Sequence, residues 1–108
     1  MLEPSVEHAV NAYVAAVRNS GIAVEHAVVF GSQVSGCSHA DSDIDLLIVS
    51  PEFDGMRDRS GINLLWRLAA RVDSRIEPIP CGSQQWKDDD ASAIIEIARQ
   101  QGELLRTV

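Results

Sequence analysis

The sequence predicts a small α/β fold: a mixed β-sheet with helices packed on one side, in the order α-β-β-α-β-α-β. Three observations carry that prediction. Val24 to Phe30 is an apolar, β-branched stretch, and Asp43 to Ser50 is nearly continuous in apolar character, as strands are. Val6, Val10, Tyr13 and Val17, and again Leu64, Leu65, Leu68, Ala69 and Val72, recur with the spacing of one helix face. The length of 108 residues and the 45% apolar content are the scale of a single domain, residues 1–108, with a real core.

Taken in order, Ser5 is positioned to cap the first helix and Gly21 to end it. Gly31 breaks the strand that follows. Residues 32–42 are small and polar and read as a loop. The strand from Asp43 to Ser50 is expected to be central in its sheet, and Pro51 stops it. Glu52 to Gly61 is a polar connection to the second long helix. Arg75 to Pro80 reads as a third strand. Its two prolines cannot donate to a ladder and so place it near a sheet edge. Gly82 to Lys87 reads as loop. Asp88-Asp89-Asp90 begins a helix running to about Gln101, with acidic residues opposing the positive end of the helix dipole. Gly102 ends it, and Glu103 to Val108 returns as a short last strand.

Composition narrows the function classes. Nine basic against sixteen acidic residues give a net charge of −7. That argues against long nucleic acid, whose binding is driven by neutralising phosphates with Lys and Arg. A small nucleotide carrying its own Mg²⁺, or a protein partner with a basic surface, is compatible. No apolar run approaches bilayer-spanning length, and Met1 to Ser5 lack the basic and apolar regions of a secretion signal. A cytoplasmic protein without membrane contact is expected. Cys37 and Cys81 have no CxxC or HxxxH spacing to complete a zinc site and read as packing thiols.

The informative stretch is Gly31-Ser32, ten residues, then Asp43-Ile44-Asp45 running into Leu46-Leu47-Ile48-Val49. Alternate residues of a strand share a face. Asp43 and Asp45 therefore point the same way, while Ile44, Leu46 and Ile48 take the other face. Two like carboxylates a few ångströms apart repel by roughly 4 kcal/mol at an effective dielectric of 20. A divalent cation, a shared proton or splaying into solvent would offset that cost. Mg²⁺ uses a few carboxylates plus substrate phosphate oxygens, and a third acid then helps. Glu77, mid-strand in an otherwise apolar run, is the best choice, with Asp73 as substitute. The rival reading makes Glu77 a surface partner of Arg75. Gly31 lets backbone approach a phosphate, and Ser32 can donate a hydroxyl to a polyphosphate.

The Phe30-Gly31-Ser32 turn, the ten-residue gap and Ser42-Asp43-Ile44-Asp45-Leu46-Leu47 resemble the signature of the polymerase-β-like nucleotidyltransferase superfamily. The chain is most similar to its minimal (MNT) members, the MntA-like antitoxin half of MNT–HEPN toxin–antitoxin pairs. The resemblance implies that Gly31 and Ser32 hold the triphosphate of ATP or another NTP. It further implies that Asp43, Asp45 and Glu77 are catalytic and bind Mg²⁺ (or Mn²⁺), and that a HEPN-type toxin is the partner and acceptor. The expected activity is transfer of NMP, AMP from ATP, to a tyrosine hydroxyl of that toxin, within an oligomer formed with it.

Two departures stand out. Where such members carry an Arg shortly after the Gly-Ser, this chain has Val34-Ser35-Gly36, and its third acid is Glu rather than Asp. They leave a second expectation open, an antitoxin that neutralises a basic toxin by binding alone. His8 and His26 read as ordinary residues, His39 as a loop residue near the motif, Asp88 to Asp90 as a solvated helix start. Trp66 and Trp86 could each be core or partner surface.

Overall fold

The computed structural model describes residues 4–31, 43–54, 60–88 and 93–105. Cys37, His39, Asp89 and Asp90 lie outside the described residues.

Helix α1 (Pro4–Asn19) buries Val6, Ala9, Val10, Tyr13, Val14 and Val17, the face that the apolar spacing defined. It starts at Pro4, whose fixed φ suits a first turn, so Ser5 lies inside the helix instead of capping it. At the other end Gly21 adopts φ +98° and its N–H donates to the Arg18 carbonyl at 3.0 Å, the left-handed stop expected there.

Among the described residues the strands are β1 (His26–Phe30), β2 (Ile44–Ser50), β3 (Ile76–Gly82) and β4 (Glu103–Leu105), in the spatial order β3-β2-β1-β4. β1 pairs antiparallel with β2 and with β4, while β2 and β3 run parallel, so the sheet is mixed as predicted. β2 is central. β3 lies at the edge, where Pro78 and Pro80 cost no ladder bonds to a further strand. Helix α2 (Ser60–Val72) joins β2 to β3 and buries Leu65 and Ala69.

Two short helices depart from expectation. Residues 83–88, read as loop, form α3 (Ser83–Asp88). Its cap is not local: the Asp54 carboxylate accepts from the Gln84 N–H at 2.9 Å and lies 3.5 Å from that of Gln85. The last helix is described as α4 (Ala93–Gln101), and Asp88, expected to start it, ends α3 instead.

The long helices α1 and α2 share one side of the sheet, as anticipated. They cover Ala27, Val29, Ile44, Leu46, Ile48 and Ile76. The second side is not bare. Ile95 and Ala98 of α4 and Trp86 of α3 pack against Val28, Phe30, Leu47, Val49 and Cys81. The correction to one-sided packing has a physical cause. β1 and β2 are apolar at consecutive positions, so both of their faces need cover. Each large side chain sealed in this way contributes roughly 1.5–3 kcal/mol. Among the described residues no helix is long and apolar enough to cross a membrane.

Candidate functional site

The site lies on the α3/α4 side of the sheet, where β1 ends and β2 and β3 begin. Two registers assemble it. In the antiparallel pair Phe30 faces Asp45, and in the parallel pair Asp45 faces Glu77. Paired residues share a face, so Asp45 and Glu77 stand side by side, in line with Leu47, Val49, Ile79 and Cys81. Asp43, two residues before Asp45, is exposed at the mouth. The Ile44 N–H donates to the Arg75 carbonyl at 2.7 Å and extends the β2–β3 pairing to the edge of the site.

The three acids act on one another. Asp43 and Asp45 both act on the Glu77 carboxyl. Partial burial, then the hydrogen bonds and charges of Asp43 and Asp45, raise the Glu77 carboxyl above the ordinary carboxylate range. Asp45 is also raised, chiefly by burial, with the Asp43 charge adding and the Glu77 hydrogen bond opposing.

The substitute acid, Asp73, is committed elsewhere. Arg75 Nη2 binds its Oδ2 at 2.8 Å, and Arg75 Nε binds its Oδ1 at 3.0 Å. These bonds hold the Asp73 carboxyl below its usual range. The influences that raise Glu77 are burial and the carboxylates of Asp43 and Asp45.

These residues fit a divalent cation by the chemistry of the donors. All are hard oxygens, crowded enough that burial and mutual charge disfavour ionisation, and a cation would relieve both. Among the described residues no three His, Cys, Asp or Glu form a ready-made cage. Mg²⁺ does not need one, because it takes one or two carboxylates and completes its shell with water and substrate phosphates.

Gly31 turns the chain out of β1 with φ +77°. A β-carbon on it would lie 2.3 Å from Asp45 Oδ2, so its bare backbone lies directly against that carboxylate. Sequence reasoning gave Gly31 only a phosphate-facing role and missed this contact. The signal that could have revealed it is the hairpin register, which sets residue 30 opposite residue 45. Ser32 lies outside the described residues.

The remaining candidates separate cleanly. His26 packs against Trp86 with ring centroids 6.4 Å apart, and Arg99 lies over the same indole at 5.6 Å, so this cluster is structural. Cys81 is a buried thiol beside the Gly82 carbonyl, His8 is exposed, and Trp66, 49% exposed, is no part of the core.

Solved structures share this architecture. One is a toxin–antitoxin complex with AMP-PNP, at TM-score 0.60 and 21% identity over 91% of this chain and 73% of that one. A second is a candidate nucleotidyltransferase from Sulfolobus solfataricus, at TM-score 0.63 and 16% identity over 95% of this chain and 81% of that one. A third is the toxin–antitoxin complex MntA–HpeT with two Asp-to-Glu substitutions, at TM-score 0.58 and 19% identity over 91% and 73%. No curated protein matches the sequence significantly. The profile of the nucleotidyltransferase domain matches residues 14–101, a span that contains every strand of the site. The chain belongs to the nucleotidyltransferase domain family.

Proposed function

We propose that residues 1–108 act as one nucleotidyltransferase unit, a cytoplasmic antitoxin that moves AMP from ATP to a hydroxyl of a HEPN-type toxin. The observation that carries this reading is the meeting of Asp43, Asp45 and Glu77 beside the Gly31 turn. Similarity to a toxin–antitoxin complex holding AMP-PNP supports a nucleotide and a protein partner. In the MntA–HpeT complex the two substituted aspartates are two positions apart, the spacing of Asp43 and Asp45.

Asp43, Asp45 and Glu77 would hold Mg²⁺ or Mn²⁺. A divalent cation held by them would supply charge neutralisation to the triphosphate and to the oxygens that attack and depart. Gly31 and Ser32 grip the phosphate tail. The acceptor oxygen forms a bond to the α-phosphorus. The bond from that phosphorus to the α,β-bridging oxygen breaks, and pyrophosphate leaves with the electron pair. Glu77 takes the hydroxyl proton, a role suited to a carboxyl held above its usual range. Positioning and charge neutralisation supply most of the rate.

A second reading, neutralisation of a basic toxin by binding alone, is favoured by the net charge of −7 and by Val34-Ser35-Gly36 where an Arg is expected. One assay separates the two. The chain is incubated with Mg²⁺, ATP labelled at the α-phosphate and the toxin encoded beside it, and the assay is repeated with Asp43→Ala/Asp45→Ala. Label on the toxin that vanishes in the double variant supports transfer. Neutralisation that survives the double variant, with no label in either case, rejects transfer in favour of binding.

A further inference from the structure

Among the described residues the two glycines with left-handed backbone, Gly21 and Gly31, differ in their surroundings. Gly21, at φ +98°, has nothing within 4 Å of where a β-carbon would stand. Gly31, at φ +77°, would place that carbon 2.3 Å from Asp45 Oδ2 and 3.3 Å from its Cγ. Either glycine, replaced by alanine, bears the same backbone penalty. Only at residue 31 does the new methyl enter space that a site carboxylate occupies.

What would yield is also on the page. The nearest atoms to the new methyl all belong to the Asp45 side chain, not to backbone. A side chain that can rotate moves at little cost to the fold. Asp45 would turn away from residue 31, and its alignment with Glu77, its register partner across the parallel pair, would be lost.

We propose that Gly31 is a positioning residue for Asp45: the missing side chain at 31 is the space that keeps this carboxylate aimed into the acidic cluster. The role is distinct from gripping phosphate, and it rests on the reading above that Asp45 is a metal ligand. Without substrate, Gly31 already sets the geometry of the cation site.

The test is a Mn²⁺ titration, followed by electron paramagnetic resonance without nucleotide, on the wild-type chain and on Gly31→Ala, Gly21→Ala and Asp45→Asn. Thermal unfolding is measured on the same samples. The two glycine variants should melt a few degrees below wild type by similar amounts. Gly31→Ala should bind Mn²⁺ about 10- to 100-fold more weakly, the usual effect of disturbing the support of a ligand. Gly21→Ala should bind as wild type does.

If Asp45→Asn loses Mn²⁺ while Gly31→Ala keeps wild-type affinity, the positioning role is wrong and the metal site stands. If wild type binds no Mn²⁺, or Asp45→Asn binds as wild type does, both are wrong. Should Gly31→Ala fail to fold, Gly31→Ala/Asp45→Ala carries the test. Recovery of folding identifies the carboxylate as the obstacle, and a double variant that also fails to fold overturns the proposal.

Discussion

The two faces of one sheet are built from alternate residues of the same strands, yet they do different work. Under α1 and α2, Ala27, Val29, Ile44, Leu46, Ile48 and Ile76 form a sealed apolar layer. There the buried Tyr13 hydroxyl finds its partner in the Leu65 carbonyl at 2.9 Å. On the opposite face Phe30, Leu47 and Val49 are covered by α4, but the row ends in Asp45 and Glu77. One face concentrates stability. The other gives up part of its cover to hold carboxylates against their own charge. Strand alternation lets a small domain do both, because a change on one face need not reach the other.

Breaking the sealed face should have the largest effect. Leu46→Ala removes a fully buried side chain from the central strand and should cost about 2–5 kcal/mol in urea unfolding. That is a large part of the 5–15 kcal/mol typical of a whole domain. The folded fraction should still bind Mn²⁺ with unchanged affinity. A parallel loss of affinity would show that the two faces are coupled.

Tyr13→Phe is the milder version. It removes the bond from α1 to α2 and should cost about 1 kcal/mol. Burial lifts the Tyr13 phenol far above its ordinary pKa, so no tyrosinate should be detected at mildly alkaline pH by ultraviolet absorbance.

On the site face the smallest effect on stability is expected, with a distinctive pH dependence. Asp45 and Glu77 both have raised pKa values. A raised carboxyl contributes stability below its unfolded pKa and loses it as pH climbs through the folded one. The metal-free chain should therefore be more stable just below the raised values than at neutral pH. Glu77→Gln should flatten that fall while costing little at pH 7. Asp73 has the opposite sign: its lowered pKa gives stability above the unfolded value, lost as pH falls through the folded one. The two contributions occupy different pH windows, so a profile from pH 2 to 8, read by melting temperature, separates them.

The sequence made one face and the acids of the other legible, for a physical reason. Periodicity reports which residues share a face, so Val6 to Val17, the strand from Asp43 and the pairing of Asp43 with Asp45 could be read directly. Glu77 could be picked out because it interrupts an apolar run. What periodicity does not carry is contact between distant segments. The cap that Asp54 gives α3 bridges about thirty residues, so residues 83–88 looked like loop. The cover of the second face depends on short helices whose apolar residues are few. The contact between Gly31 and Asp45 depends on register across a hairpin, and Asp73 was a rival to Glu77 until Arg75 was seen to hold it.

The central claim is that Asp43, Asp45 and Glu77 converge to hold the metal of a nucleotide. Its most direct test is a crystal grown with Mn²⁺ and AMP-PNP, with anomalous scattering recorded at the manganese edge. The account predicts a manganese peak in contact with Asp43 and Asp45, with Glu77 beside it and phosphate oxygens completing the shell. Bound nucleotide with the manganese peak elsewhere, and these three side chains free of it, would contradict the account.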